Sequence, residues 1–285
     1  MKIGVMVESF RLGFQKGVER AAALGAHGIQ AYATGGELAA DTITPARARE
    51  LLDIVKSNGL VFSALCGDFG YGFDDPERNP VMIEKSKRII DLAKQLECDI
   101  VTTHIHKVPE IECPQKDILR AACNELGKYA DSMEAKFALE TGPEFGCVLG
   151  DFLGSLDATG VRVNFDPANL VMVAGDRPEN ALKYIGKYVV HTHAKDGIKL
   201  RKPAEGEVIV GEEAQKHAEL AKMGHSYLEL PLGKGGVDFD VYLPALKAAG
   251  FDGFLTIERE VGENPEADIA MAVDFLREKI AYHSL

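Results

Sequence analysis

The stretch VMIEKSKRIIDLAKQLECDIVTT, residues 81–103, contains the repeating unit from which the fold can be predicted. In its first part, apolar residues recur at the three- and four-residue spacing of an amphipathic helix, Val81–Gln95. A short run rich in β-branched residues follows at Ile100–Thr103. Such a run is typical of a strand that is covered on both faces, as in a parallel sheet. The stretch therefore predicts one helix–strand unit of an α/β protein.

The same alternation extends over the whole chain of 285 residues. Seven further strands are predicted, at Ile3–Val7, Gly28–Ala31, Leu60–Ala64, Phe137–Leu139, Val161–Asn164, Tyr188–Thr192 and Gly253–Ile257. Seven further helices are predicted, at Phe14–Ala23, Pro45–Ser57, Lys116–Ser132, Leu149–Leu156, Glu179–Ile185, Phe239–Ala249 and Glu266–Lys279. Eight such units can close into a (β/α)8 barrel, which typically needs about 250 residues.

The alternative to a barrel is an open, doubly wound sheet. No GxGxxG motif follows the first strand, which disfavours the dinucleotide-binding version of that sheet. We therefore predict a TIM barrel that forms a single domain, residues 1–285. A long insert, residues 195–236, follows the seventh strand and contains a further predicted helix, Glu212–Lys222. Connections of this length are usually lids or binding elements.

The composition excludes several classes of protein. A net charge of −12 argues against a nucleic-acid partner, because nucleic-acid-binding proteins usually carry a basic face. No apolar run approaches the roughly 20 residues of a membrane span, and Glu8 interrupts the first apolar run before a signal peptide could form. The cysteines never form a CxxC pair. We therefore expect a cytoplasmic protein with reduced cysteines and no membrane partner.

The active site of a (β/α)8 barrel lies at the carboxyl ends of its strands. Polar side chains lie at or just beyond the end of every predicted strand: Glu8, Gln30, Asp68, His104 and His106, Glu140, Asp166, His191 and His193, and Glu258. Alone, each could be a helix cap or a rim salt bridge. Together, Glu140, Asp166, His193 and Glu258 come from four consecutive strands and form an oxygen-rich ligand set. They predict a site for one divalent metal ion, such as Mn²⁺, Mg²⁺ or Co²⁺.

Several segments resemble the xylose-isomerase-like barrel superfamily. These are Ala138–Gly142, Asn164–Asn169, His191–Asp196 and Thr256–Glu258, together with Pro231–Phe239 and Gly250–Gly253. Within the superfamily, the chain is most similar to the sugar phosphate isomerase/epimerase group, which includes the ketose 3-epimerases. The resemblance spans nearly the whole chain, and the combination of the four strand ends is its specific part.

The resemblance implies that Glu140, Asp166, His193 and Glu258 hold an ion of the Mn²⁺ type, with Mg²⁺, Co²⁺ or Zn²⁺ as alternatives. It also implies that Glu140 and Glu258 are the catalytic residues, which exchange a proton at a carbon next to a carbonyl. The metal would stabilise an enediolate as its charge develops, and the two carboxylates would act from opposite faces. The expected substrate is a small sugar, a ketose or keto-sugar. Members of the group are often dimers or tetramers, so a homo-dimer or homo-tetramer is also consistent with the resemblance.

Candidate substrate-binding residues surround the predicted metal site: His104, His106, Asn169, Lys195, Lys199, Arg259, Glu8 and Asp68. Three positions depart from the ketose 3-epimerase pattern, which commonly has a histidine at 169, an arginine at 199 and an acidic residue at 146, near which this chain has Glu144. Lys195 and Arg259 have an alternative role, pairing with Glu260 or Asp196. The identity of the sugar stays open, with a preference for an unphosphorylated one because the glycines at 233–236 fit a tight turn as well as a phosphate loop.

Other reactions begin with the same proton abstraction. Related barrels isomerise aldoses and ketoses, dehydrate inososes, or act as lyases on keto-glycosides. A less expected alternative is a DNA repair enzyme similar to endonuclease IV, which shares the barrel but uses three zinc ions. A non-catalytic sugar-binding subunit is a further alternative.

Overall fold

At the centre of the structure, eight parallel strands close into a barrel. We describe a computed structural model that covers all residues, 1–285. The strands are β1 (Lys2–Met6), β2 (Gly28–Tyr32), β3 (Val61–Cys66), β4 (Ile100–Thr103), β5 (Lys136–Glu140), β6 (Val161–Phe165), β7 (Val189–Ala194), β8 (Asp196–Lys199), β9 (Tyr227–Leu230) and β10 (Phe254–Ile257). All except β8 and β9 belong to the barrel, in which β10 pairs with both β7 and β1. The predicted TIM barrel is confirmed.

Helices connect the strands on the outside of the barrel. They are α1 (Phe14–Ala23), α2 (Pro45–Ser57), α3 (Asn79–Gln95), α4 (Pro114–Ser132), α5 (Gly146–Gly154), α6 (Pro167–Asn169), α7 (Pro178–Ile185), α8 (Glu212–Lys222), α9 (Phe239–Ala248) and α10 (Pro265–His283). The short α6, which continues into a π-helical turn at Leu170–Ala174, was not predicted. None of these helices is long and apolar enough to cross a membrane.

Apolar side chains fill the space between the strands and the helices. Leu65, Val101 and Phe137, on three neighbouring strands, are completely buried, and the ring of Phe73 meets that of Phe137 edge to face at 6.0 Å. Inside the barrel, in contrast, a layer of buried polar side chains lies below the carboxyl ends of the strands: Gln30, Ser63, Thr102, Asn164, His191 and Thr256. This polar layer supports the side chains at the mouth of the barrel.

The insert folds back on itself as an antiparallel hairpin. Its strands β8 and β9 place Asp196 opposite Leu230 and Lys199 opposite Tyr227. The helix α8 between them has the bounds predicted from the sequence, but the hairpin was not predicted. No local pattern marks it, since a long stretch of chain separates its two short strands.

The buried carboxylate of Asp196 fixes the glycine-rich turn to this hairpin. It accepts hydrogen bonds from the backbone N–H groups of Gly233 at 3.0 Å, Gly235 at 2.8 Å and Val237 at 3.1 Å. A Cβ atom at Gly235 would lie 2.2 Å from Asp196 Oδ1, so the close approach requires glycine there. The N–H groups that could have cradled a phosphate therefore bind a side chain of the protein itself.

Candidate metal centre

Four side chains converge at the mouth of the barrel. Glu140 ends β5, Asp166 follows β6, His193 lies in β7 and Glu258 follows β10. One ligand atom from each lies within 4.8 Å of the others. His193 Nδ1 is 3.3 Å from Glu140 Oε1, 3.3 Å from Glu258 Oε2 and 3.7 Å from Asp166 Oδ2. These are the four residues that the sequence predicts as metal ligands, and the structure brings them together.

Two atoms of this cluster have no hydrogen-bond partner although they are buried: Asp166 Oδ2 and His193 Nδ1. The other carboxylate oxygen of Asp166 accepts hydrogen bonds from the N–H groups of Ala168 and Asn169. A buried polar atom without a partner costs about 1–3 kcal/mol, and both of these atoms face the same small space among three carboxylates. A divalent cation there would satisfy both atoms, and the donor set suits one.

Neighbouring positive charges keep the two glutamates of the cluster ionised. Burial opposes ionisation of Glu258, but His193 and Lys195 outweigh it and hold its pKa well below the usual value. Burial likewise opposes ionisation of Glu140, and its pKa is lowered because the charges of His104 and His193 prevail. Both carboxylates are therefore in the ionised state that a proton acceptor needs.

His104 contacts Glu140 from the pocket side. Its Nε2 is 3.6 Å from Glu140 Oε1, and its Nδ1 is 3.0 Å from Asp68 Oδ2. The charge of Glu140 raises the pKa of His104 to about 9, against the effect of burial and with the help of Asp68. His104 thus lies beside the cluster as a cation whose orientation Asp68 fixes.

A pocket of about 420 Å³ opens beside the cluster. It is lined by Asp68, Gly70, Tyr71, His104, Ile105, His106, Glu140, Gly142, Pro143, Asn169, Val173 and Tyr227. Four predicted substrate-binding residues, Asp68, His104, His106 and Asn169, are among them. Glu8 lines a second pocket of about 230 Å³, which reaches Glu258. Both pockets adjoin the predicted metal ligands, so a small molecule in either would lie next to the cluster.

Side chains in the larger pocket are held by polar contacts. Asn169 Nδ2 donates to Glu140 Oε1 at 3.1 Å, and His106 Nδ1 is 2.9 Å from Asp74 Oδ1. Asp74, Tyr71 and Tyr227 carry no signal in the sequence, because none of them directly follows a barrel strand. Tyr227 reaches the pocket from the insert, which only the folded hairpin brings there.

Two predicted substrate-binding residues have other contacts in the structure. The Lys195 ammonium is buried and donates to Glu258 and Glu260, which is one of the alternatives that the sequence allows. Lys199 Nζ donates to the carbonyl oxygen of Val173 at 3.1 Å. Their substrate roles stay predictions.

Arg259 also has carboxylate partners in the structure. Its guanidinium group donates to Glu229 Oε1 in β9 at 2.5 Å and to Asp268 Oδ2 in α10 at 2.8 Å. These partners differ from Glu260 and Asp196, the carboxylates that the sequence offers as an alternative, and the substrate role of Arg259 stays a prediction. Because two carboxylates occupy the buried guanidinium, Arg259 joins the insert to the last helix.

The remaining acidic residues near the mouth also have partners. Glu8 Oε1 accepts a hydrogen bond from the N–H of Tyr32 at 3.0 Å, and burial raises the pKa of Glu8. Glu144 accepts one from the N–H of Val108 at 3.2 Å, and burial raises its pKa to about 7. Glu144 is therefore a buried acid that titrates close to pH 7, not a fully ionised surface carboxylate.

A closed (β/α)8 barrel with a buried cluster of one histidine and three carboxylates at the carboxyl ends of its strands defines the class of protein. Residues 18–279 match the family model described as xylose isomerase-like TIM barrel, and the chain belongs to this family. The resemblance found in the sequence is thereby confirmed.

Similar proteins support the fold over the whole chain. A xylose isomerase domain protein from Planctomyces limnophilus has 24% identity and a TM-score of 0.79, with 98% of this chain and 96% of that chain covered. A D-psicose 3-epimerase from Clostridium cellulolyticum H10, solved with D-tagatose, has 15% identity, a TM-score of 0.71 and coverage of 98% and 99%. A xylose isomerase-like TIM barrel protein from Mycobacterium smegmatis, in complex with magnesium, has 16% identity, a TM-score of 0.73 and coverage of 98% and 96%.

One curated relative matches part of the chain. An uncharacterized protein of Methanocaldococcus jannaschii is 24% identical over 191 residues, which cover 62% of this chain and 56% of the relative. This chain therefore matches little more than half the length of that relative.

Proposed function

We propose that this protein is a divalent-metal-dependent sugar isomerase or epimerase, which moves a proton at a carbon next to the carbonyl of a ketose or keto-sugar. The observation that carries the proposal is the buried cluster in which Glu140 and Glu258 both lie 3.3 Å from His193 Nδ1, beside a pocket of about 420 Å³. The structural similarity to a D-psicose 3-epimerase supports it.

Glu140, Asp166, His193 and Glu258 would hold one divalent ion. Mn²⁺ is our first choice, and Mg²⁺, Co²⁺ or Zn²⁺ are alternatives; the similar barrel solved with magnesium supports a hard divalent ion. When bound, such an ion stabilises the negative charge that develops on the substrate oxygens as the proton leaves. The unpartnered atoms of Asp166 and His193 are the ones that would face it.

The two glutamates would act as the proton acceptor and the proton donor. They lie on strands β5 and β10, which β6 and β7 separate around the barrel. Each would therefore approach the substrate from a different side, as inversion of a carbon centre requires. Lys195, which donates to Glu258 at 2.9 Å, and His104, beside Glu140, favour the ionised form of each carboxylate.

The larger pocket would bind the sugar. Its volume lies within the range of about 300–1,000 Å³ that is usual for small-molecule sites. His104, His106, Asn169 and Asp68 would form hydrogen bonds with hydroxyl groups, and Tyr71 and Tyr227 would cover the apolar face of the ring. We also propose a cytoplasmic enzyme that uses neither nucleic acid nor membrane as a partner, and that can form a homo-dimer or homo-tetramer.

The test is proton exchange with solvent. The Mn²⁺-loaded protein is incubated in D₂O with a panel of ketoses and keto-glycosides, and the products are analysed by NMR and mass spectrometry. Deuterium at a carbon whose configuration has changed supports an epimerase. Release of an aglycone or of water instead favours the alternative, a lyase or dehydratase that acts on a keto-glycoside or an inosose.

Variants connect this activity to the two glutamates. Glu140→Gln and Glu258→Gln should each abolish turnover, because an amide cannot accept the proton. Glu263→Gln is the matched control: Glu263 is an exposed carboxylate a few residues beyond Glu258, and turnover should not change. Full activity in Glu140→Gln or Glu258→Gln would refute the proton-transfer roles.

A further inference from the structure

Directly below the metal cluster, Gln30 crosses the inside of the barrel between two other strands. Its Nε2 donates to Thr102 Oγ1 at 2.9 Å, and its Oε1 lies 3.0 Å from His193 Nε2. All three side chains are completely or almost completely buried. The carboxamide of Gln30 therefore uses one end to contact β4 and the other to contact the predicted metal ligand in β7.

This arrangement determines which nitrogen of His193 carries a hydrogen. A carboxamide oxygen can only accept, so His193 Nε2 must donate to it. Without a metal the imidazole is a cation, as its neighbouring carboxylates favour; a divalent ion in the cluster would displace the hydrogen of the other nitrogen, which then presents its lone pair. That nitrogen, Nδ1, is the atom that faces Glu140, Asp166 and Glu258 and has no hydrogen-bond partner.

A second contact of His193 Nε2 does not alter this result. Asn164 Nδ2 lies 3.3 Å from His193 Nε2, but it also lies 3.2 Å from Glu140 Oε2. A carboxylate is a stronger acceptor than a neutral imidazole, so Asn164 donates to Glu140. The Asn164 oxygen is 2.9 Å from His191 Nδ1, which fixes the orientation of the amide. His193 Nε2 is thus left to donate to Gln30.

We propose that Gln30 is a positioning residue, which holds His193 with its Nδ1 lone pair directed into the cluster and so prepares the cluster to bind a divalent cation. This role rests on the metal centre proposed above. A hydrogen-bond partner behind a metal-bound histidine typically contributes a factor of about 10–100 to metal affinity. A side chain within the second strand is thereby connected to the chemistry of the seventh.

The hydrogen position can be measured in the wild-type protein. In ¹⁵N-labelled protein loaded with Zn²⁺, long-range ¹H–¹⁵N spectra distinguish a protonated imidazole nitrogen from a metal-bound one. We expect the hydrogen of His193 on Nε2 and the metal on Nδ1. A hydrogen on Nδ1 would overturn the proposal, and this measurement does not depend on the folding of any variant.

Variants test the contribution of Gln30 to affinity. Gln30→Met keeps the length of the side chain and removes the acceptor, and calorimetric titration with Mn²⁺ should show a dissociation constant about 10–100 times that of wild type. Gln30→Glu restores an acceptor oxygen and should recover most of the affinity. Ser63→Ala is the matched control, because Ser63 lies in the same polar layer but contacts His191.

The outcomes separate this role from the metal centre itself. Equal Mn²⁺ affinity in wild type and Gln30→Met would overturn the role of Gln30 and leave the metal centre intact. A wild-type protein that binds neither Mn²⁺ nor Zn²⁺ would overturn both. Loss of affinity in Ser63→Ala equal to that in Gln30→Met would show a general effect of the polar layer and would also overturn the specific role.

Discussion

Replacement of Arg259 by methionine should destabilise the protein and loosen the insert without affecting the metal cluster. The guanidinium group of Arg259 joins Glu229 in β9 to Asp268 in α10. Glu229 is only 6% exposed, so it has little access to water that could replace its partner. Methionine fills a similar volume but provides no charge and no hydrogen bond.

The size of the effect follows from the burial of these charges. Removal of one partner from a buried ion pair typically costs about 3–5 kcal/mol, because the remaining charge is left uncompensated. For a chain of this length, each kcal/mol corresponds to a shift of about 2 °C in Tm. We therefore expect the Tm of Arg259→Met to fall by about 6–10 °C.

Thermal unfolding followed by circular dichroism measures this shift, and limited proteolysis within residues 200–226 reports the loosening of the insert. The matched control is Arg201→Met, since Arg201 pairs with Glu207 in the same insert but is exposed; its loss should cost less than about 1 kcal/mol. The double variant Arg259→Met/Glu229→Gln should recover part of the stability. An unchanged Tm together with a raised KM for a sugar would refute the structural role and support Arg259 as a substrate ligand.

Two further predictions concern pH and metal. The pKa of Glu144 is raised from 4.5 to about 7 in the folded protein. The protonated carboxyl group therefore stabilises the fold fully below pH 4.5, and this stabilisation is lost as the pH rises through 7. From pH 5 to 8, wild type should therefore lose up to about 3 kcal/mol of unfolding free energy relative to Glu144→Gln, and equal denaturant-unfolding profiles for the two proteins would contradict this. Addition of Mn²⁺ at about 100 times its dissociation constant should stabilise wild type by about 2.7 kcal/mol. Asp166→Asn should lose most of this gain in a thermal shift assay, and an undiminished gain would exclude Asp166 as a ligand.

The parts of the fold that were predictable from the sequence are those that local patterns encode. The helical spacing of Val81–Gln95 and the β-branched run at Ile100–Thr103 depend on neighbours within a few positions, so one stretch of sequence shows them. The metal cluster was predictable for a related reason: in a closed parallel barrel, the residues that follow consecutive strands must meet at one mouth. That geometry brings Asp166 and Glu258 close together in space although they are far apart in the sequence.

The contacts that the sequence did not predict join residues that no local pattern connects. The sequence offered Glu260 or Asp196 as carboxylate partners of Arg259, but its partners in the structure, Glu229 and Asp268, lie in the insert and the last helix. Tyr227 reaches the larger pocket only because β9 pairs with β8. Periodicity contains no information about such pairs, since the packing of the insert against the barrel determines them.

The number of divalent ions bound per chain tests the central claim most directly. The purified protein, dialysed against Mn²⁺ and then freed of excess metal, is analysed by elemental mass spectrometry together with Asp166→Asn. The cluster of Glu140, Asp166, His193 and Glu258 predicts one ion per wild-type chain and substantially less than one in the variant. No bound ion in wild type, or three zinc ions per chain after exposure to Zn²⁺ as in a barrel of the endonuclease IV type, would contradict it.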